Sequence, residues 1–177
     1  MLNSSRILLL ICLSCALISG CGTKSGLSAD VGYSGFDNAR IVNIRPHMCA
    51  GNAGPGTIGP GLGAQWNASQ PNSVVLIVAL FNQHKGITGA DLNIDGEKIS
   101  LTGSSNPTDM SLHYGIRMST RPFATDVATV KKIIASKRTW VRIHTPAGYI
   151  EDAVIDGAID SKAYNALIRF MTEVEAK

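Results

Sequence analysis

Three adjacent side chains, His47, Met48 and Cys49, place an imidazole, a thioether and a thiol in one tripeptide. Such donors suit a soft cation such as Cu(I), and a thiol beside an imidazole is also the pairing from which a nucleophile is built. In extended chain, neighbours point to opposite faces, so His47 and Cys49 share a side and Met48 does not. Two ligands do not define a metal site, and the other histidines, His84, His113 and His144, lie in separate segments. The sequence has no HExxH and no paired CxxC motifs. His47 and Cys49 are therefore the candidates for a thiol or copper function. The competing role for Cys49 is that of a small buried hydrophobe.

A second group is basic and aromatic. Lys131, Lys132, Lys137, Arg138 and Arg142 form a local cluster suited to an acidic partner or an anionic headgroup, or equally to a solvated helix face. Trp140, Arg142 and His144 alternate, so on a strand they share one face. An exposed face of that kind is a binding surface, whereas a buried one needs partners for its polar atoms. Trp66 follows the glycine-rich run GNAGPGTIGPGLG and is either an exposed anchor or a core aromatic. Acidic residues are scattered, and the neighbours Glu151 and Asp152 alternate on a strand and cannot face one another. There is no Ser-x-x-Lys or Gly-x-Ser-x-Gly, and no Gly-Lys-Ser/Thr follows the glycines. The chain thus shows no catalytic constellation and no cofactor motif.

The elements that must position these groups follow from pattern. Residues 39–44 (ARIVNI) have strand content, and 45–71 read as a long glycine- and proline-rich loop, its core at 50–71. Ser73–Phe81 (SVVLIVALF) predicts a strand buried on both faces. Asp95-Gly96 predicts a two-residue hairpin turn. It pairs Ile94 with Glu97, Leu92 with Ile99 and Ala90 with Leu101, with Leu92, Ile94, Ile99 and Leu101 on one face and Asn93, Lys98 and Ser100 on the other. Leu112–Met118 alternates as a single strand with Leu112, Tyr114, Ile116 and Met118 inward. Thr125 or Asp126 caps a helix to Lys137, striped by Val127, Val130, Ile133 and Ile134. Residues 139–145 and 149–155 form a hairpin around Pro146-Ala147-Gly148. Ser161 caps a last helix with Tyr164, Leu167, Ile168, Met171 and Val174 at helical spacing. The expected architecture is mainly β of the α+β class: an antiparallel β-sandwich-like domain, residues 36–177, with two helices on or beside the sheet.

The amino terminus reads MLNSSRILLLICLSCALISGC. Arg6 precedes an apolar run from Ile7 to Ile18, the length of a secretory signal core and short of the roughly 20 residues a membrane span requires. The run ends Ile18-Ser19-Gly20-Cys21, which resembles the lipobox of bacterial lipoproteins. That resemblance implies a signal peptide over 1–20, cleavage after Gly20, lipid on the Cys21 sulfur, and a tether over 21–35. Gly22, in place of the aspartate that retains many such proteins in the inner membrane, favours the outer one. The segment from Arg117 to Val174 also resembles the C-terminal half of the periplasmic β-sandwich modules typified by invasion-associated locus B proteins. The shared pattern is a helix, a strand bearing Trp140-Val141-Arg142, a glycine turn, another strand and a closing helix.

Composition fits this reading. The chain has 177 residues, 16 basic and 13 acidic; without residues 1–20, which hold only Arg6, 157 residues carry 15 basic and 13 acidic side chains. Near-neutral charge and 6% aromatics argue against a nucleic-acid partner. Cys12 and Cys15 would leave with the leader and Cys21 would be lipidated, so Cys49 alone would remain, without a disulfide partner. The sequence predicts a non-enzymatic binding or accessory lipoprotein of the bacterial envelope. It would be anchored to the membrane by its N-terminal lipid, with an envelope protein or the cell wall as partner. The alternative is a periplasmic thiol or copper protein using Cys49 and His47.

Overall fold

A computed structural model describes residues 28–49, 58–113 and 115–176. The expected signal peptide, Cys21, most of the expected tether, residues 50–57 of the expected loop, and Tyr114 lie outside the described residues. The described residues form an antiparallel β-sandwich with two helices. One sheet contains β1 (Asp30–Tyr33), β2 (Arg40–Met48), β3 (Gly59–Asn67), β4 (Ser73–Phe81), β7 (Thr102–Gly103), β8 (Asp109–His113) and β9 (Ile116–Asp126). The strands run β1-β2-β3-β4-β9, with β8 and β7 on successive stretches of the far edge of β9. The second sheet has the order β12-β11-β10-β5-β6. It is built from β5 (Gly89–Ile94), β6 (Glu97–Ser100), β10 (Arg138–Thr145), β11 (Gly148–Asp156) and β12 (Ile159–Asp160).

The inner faces close one core. Val42, Ile44, Leu62, Leu76, Leu80 and Phe123 from the first sheet share a cluster with Leu92, Val141, Ile143 and Val154 from the second. Each such aliphatic or aromatic side chain contributes about 1.5–3 kcal/mol by leaving water. Helix α1 (Val127–Ala135) starts at Asp126, whose carboxylate accepts from the Thr129 N–H at 2.6 Å. Helix α2 (Lys162–Glu175) starts at Ser161, which accepts from the Tyr164 N–H at 3.0 Å. Its buried stripe is Ala163, Ala166, Leu167, Phe170 and Met171. Ile168, expected on that stripe, is 36% exposed. The small alanines let the helix approach β2 and β3, and Phe170 is fully buried in the shared core. Arg40, at the start of β2, donates to the Glu173 and Ala176 carbonyls and fastens the C-terminus of α2 to the sheet.

The hairpin at Asp95-Gly96 has the expected register, Leu92 opposite Ile99 and Ile94 opposite Glu97, with both turn residues at positive φ. The β10–β11 hairpin also turns as expected, with Thr145 opposite Gly148. Four expectations need correction. The expected loop contains β3, a strand central to its sheet, because β2 bulges between Ile44 and His47 and presses on it. A Cβ on Gly63 would lie 2.6 Å from the Ile44 carbonyl and the Pro46 nitrogen, so only glycine fits. Leu112–Met118 is a hairpin rather than one strand, since Gly115 turns the chain at φ +78, and Leu112 is 68% exposed. β4 is buried chiefly on the Val74, Leu76, Val78 and Leu80 face, while Val75 on the other face is exposed. The sheet also begins at Asp30, within the stretch expected to be tether.

Candidate functional site

Antiparallel register converts alternating sequence into rows across a sheet, and the outer face of the five-stranded sheet carries three. In one row Ser100, Asp91, Arg142 and Glu151 stand side by side across β6, β5, β10 and β11. In the next, Lys98, Asn93 and Trp140 align. On the other side of the Arg142 row, His144 pairs with Tyr149. Together the first two rows and Arg138 line a groove of about 320 Å3.

The groove is organised by opposite charges. Arg142 Nε donates to Glu151 Oε2 at 2.8 Å, and its guanidinium lies over the Tyr149 ring, 4.4 Å from the centroid. Hydrogen bonding to Glu151, against a smaller effect of desolvation, raises the Arg142 pKa above its ordinary value and fixes its charge. His144 Nε2 is 2.7 Å from Asp91 Oδ2, and the Ser100 hydroxyl donates to Asp91 Oδ1 at 2.7 Å. Burial alone would raise the Asp91 pKa. The hydrogen bonds from His144 and Ser100, with the charges of His144 and Arg142, outweigh it and hold the carboxyl below the usual range. Trp140 Nε1 donates to Asp156 Oδ2 at 3.0 Å. Arg138 pairs with the same carboxylate oxygen at 3.3 Å and stacks on the Trp140 ring. A bulge at Thr139/Trp140 sets Trp140 opposite Ala153.

The face thus sets fixed donors and acceptors beside two aromatic rings. Three residues expected from sequence, Arg138, Trp140 and Arg142, are brought together here. The others stand elsewhere. Trp66 is a core aromatic, 9% exposed, with Nε1 donating to the Pro71 carbonyl. Lys131 pairs with Glu175 at 2.7 Å and Lys132 with Glu97 at 3.1 Å, so the basic cluster is interleaved with carboxylates from other elements. Sequence reasoning missed Asp91, Asn93, Lys98, Ser100, Tyr149 and Glu151. The hairpin register had already set Asn93, Lys98 and Ser100 on one face, but only the pairing of β5 with β10 brings them to Trp140.

Cys49 is buried, 2% exposed, and its N–H donates to the Pro60 carbonyl, extending the β2–β3 pairing. Burial first, and then the charge of Asp152, push its thiol well above the ordinary range. Such a thiol is a poor nucleophile at neutral pH. Among the described residues no three His, Cys, Asp or Glu side chains gather to hold a metal, so His47 and Cys49 gain no third ligand there.

Among the described residues no helix is long and apolar enough to cross a membrane. No family model, curated protein or solved structure matches the chain.

Proposed function

We propose that this chain is a membrane-tethered binding or accessory module of the bacterial envelope, with the outer face of its five-stranded sheet as the recognition surface. The lipobox-like Ile18-Ser19-Gly20-Cys21 supports the tether. The observation that carries the binding role is the groove lined by Trp140, Arg142, Glu151 and Asp91, with the Tyr149 ring beside it under the Arg142 guanidinium. Exposed ion pairs contribute at most about 1 kcal/mol each, so a partner exchanges them readily for its own groups. Rigid aromatic and arginine side chains are those that dominate binding energy. The partner is a polar one offering both donors and acceptors, an envelope protein or the cell wall. The alternative, a thiol or copper function at Cys49 and His47, is weakened by the burial and raised pKa of Cys49.

The test places a photoreactive phenylalanine analogue at position 149, exposed on this face, or at position 75, on the outer face of the other sheet, in cells. A discrete adduct from position 149 alone is the expected outcome. Equal adducts from both positions, or none from 149, contradict the assignment.

A further inference from the structure

A second cavity, of about 470 Å3, opens on the outer face of the seven-stranded sheet, where the β2 bulge meets the β8–β9 hairpin. Its apolar walls are Pro46, Phe81, Ile116 and Met118. Arg45, His47 and His113 complete the lining, which includes no Asp or Glu. The volume falls in the range of small-molecule sites, roughly 300–1,000 Å3. Phe81 is seated by glycine: Gly61 has no room for a Cβ, which would meet this ring and the His47 carbonyl. At the polar side, Arg45 Nη1 donates to His113 Nε2 at 3.3 Å, which holds the guanidinium at the rim of the cavity.

An apolar cavity whose polar lining is basic complements an amphipathic anion. We propose that it binds a medium-chain fatty acid, the alkyl chain against Phe81, Ile116, Met118 and Pro46 and the carboxylate on the Arg45 guanidinium. A neutral alkyl chain would leave the guanidinium without the charge it can pair with. The site is separate from the groove on the five-stranded sheet, and the two assignments stand or fall independently.

The test uses the full chain in membranes of expressing cells, labelled with a diazirine-bearing decanoate and mapped by mass spectrometry. Adducts are expected on the walls formed by Phe81, Ile116 and Met118. Unlabelled octanoate, decanoate and dodecanoate should compete with affinity rising about fourfold per added methylene. Decanol should compete about tenfold less well, and Arg45→Ala should weaken labelling by about tenfold, because a charge-assisted hydrogen bond is lost. Arg117→Ala, on the same hairpin but outside the lining, should change nothing. Adducts confined to the apolar run 7–18, decanol competing as well as decanoate, or unchanged labelling in Ile116→Glu would overturn the proposal. So would a change of oligomeric state in Ile116→Glu, since the cavity would then be a self-association face; Ile116 is 44% exposed, so folding is not at stake.

Discussion

His144 and Asp91, 53 residues apart in sequence, meet at 2.7 Å where β10 pairs with β5. This contact joins the Asp95-Gly96 hairpin to the β10–β11 hairpin on the outer face and orders the row that ends in Arg142 and Glu151. It also makes Asp91 a pH-dependent part of the fold. A carboxyl whose folded pKa is depressed stabilises the fold above its unfolded value, about 3.9, and loses that contribution as pH falls through the folded value. Urea unfolding should show the chain more stable than Asp91→Asn by up to about 1 kcal/mol at pH 6, the range for a partly exposed pair. The difference should shrink as pH falls below the unfolded value and vanish once Asp91 is protonated in the folded chain. A difference that persisted unchanged into acid would contradict this reading of Asp91.

Cys49 should resist alkylation in the folded chain. With the thiol buried and its pKa raised, iodoacetamide at pH 7.5 should leave the Cys49 peptide unmodified and label it only in denaturant. Rapid native labelling, detected by peptide mapping, would return Cys49 to candidacy as a nucleophile.

The glycines of β3 should be intolerant on one face. Gly63→Ala forces a Cβ against the β2 backbone and should destabilise the fold by about 1–3 kcal/mol, the usual penalty of overpacking. Gly32→Ala, where a Cβ meets nothing within 4 Å, should be close to neutral. Equal unfolding midpoints for the two variants would show that the bulge does not press on β3.

Asp126 is the cap that starts α1, and its carboxyl is held below the usual range first by the Thr129 N–H and then by the Thr129 side chain. Asp126→Ala should lower stability by about 1 kcal/mol, and Asp126→Asn by less, since an amide oxygen also caps. A thermal melt unchanged by Asp126→Ala would remove the cap from the account.

What the sequence made legible was local. Asp95-Gly96 between alternating residues specifies a hairpin with its register, because the turn demands positive φ and the core demands one apolar face. Asp126 and Ser161 announced helices for an equally local reason. β3 was hidden because Gly59, Gly61 and Gly63 supply no side chains to alternate with Pro60, Leu62 and Ala64. Their meaning lies in the neighbouring β2 bulge, which no local pattern encodes. The groove was half legible for a similar reason. Trp140, Arg142 and His144 share a face by alternation, yet Asp91, Lys98 and Glu151 join them only through pairing of distant strands. Lys131 and Lys132 looked like part of a basic patch until Glu175 and Glu97 arrived from other elements.

The anchor is tested separately from the domain. If Cys21 carries lipid, Cys21→Ala should abolish processing or release the chain from membranes, as fractionation and the mass of the mature chain would report. Unchanged processing and retention would refute the tether.

Recognition of a partner by the charged aromatic face of the five-stranded sheet is tested by an exchange of charges. Arg142→Glu combined with Glu151→Arg keeps opposite charges facing across β10 and β11 and so preserves the cross-strand pair. It also moves each charge to the other strand and sets a carboxylate at position 142 opposite Asp91, a like-charge pair that should cost at most about 1 kcal/mol. With a photoreactive group at position 149, this doubly substituted chain should melt within a few degrees of its parent and yield about tenfold less of the adduct. A stable chain that forms the adduct in undiminished yield would contradict the account.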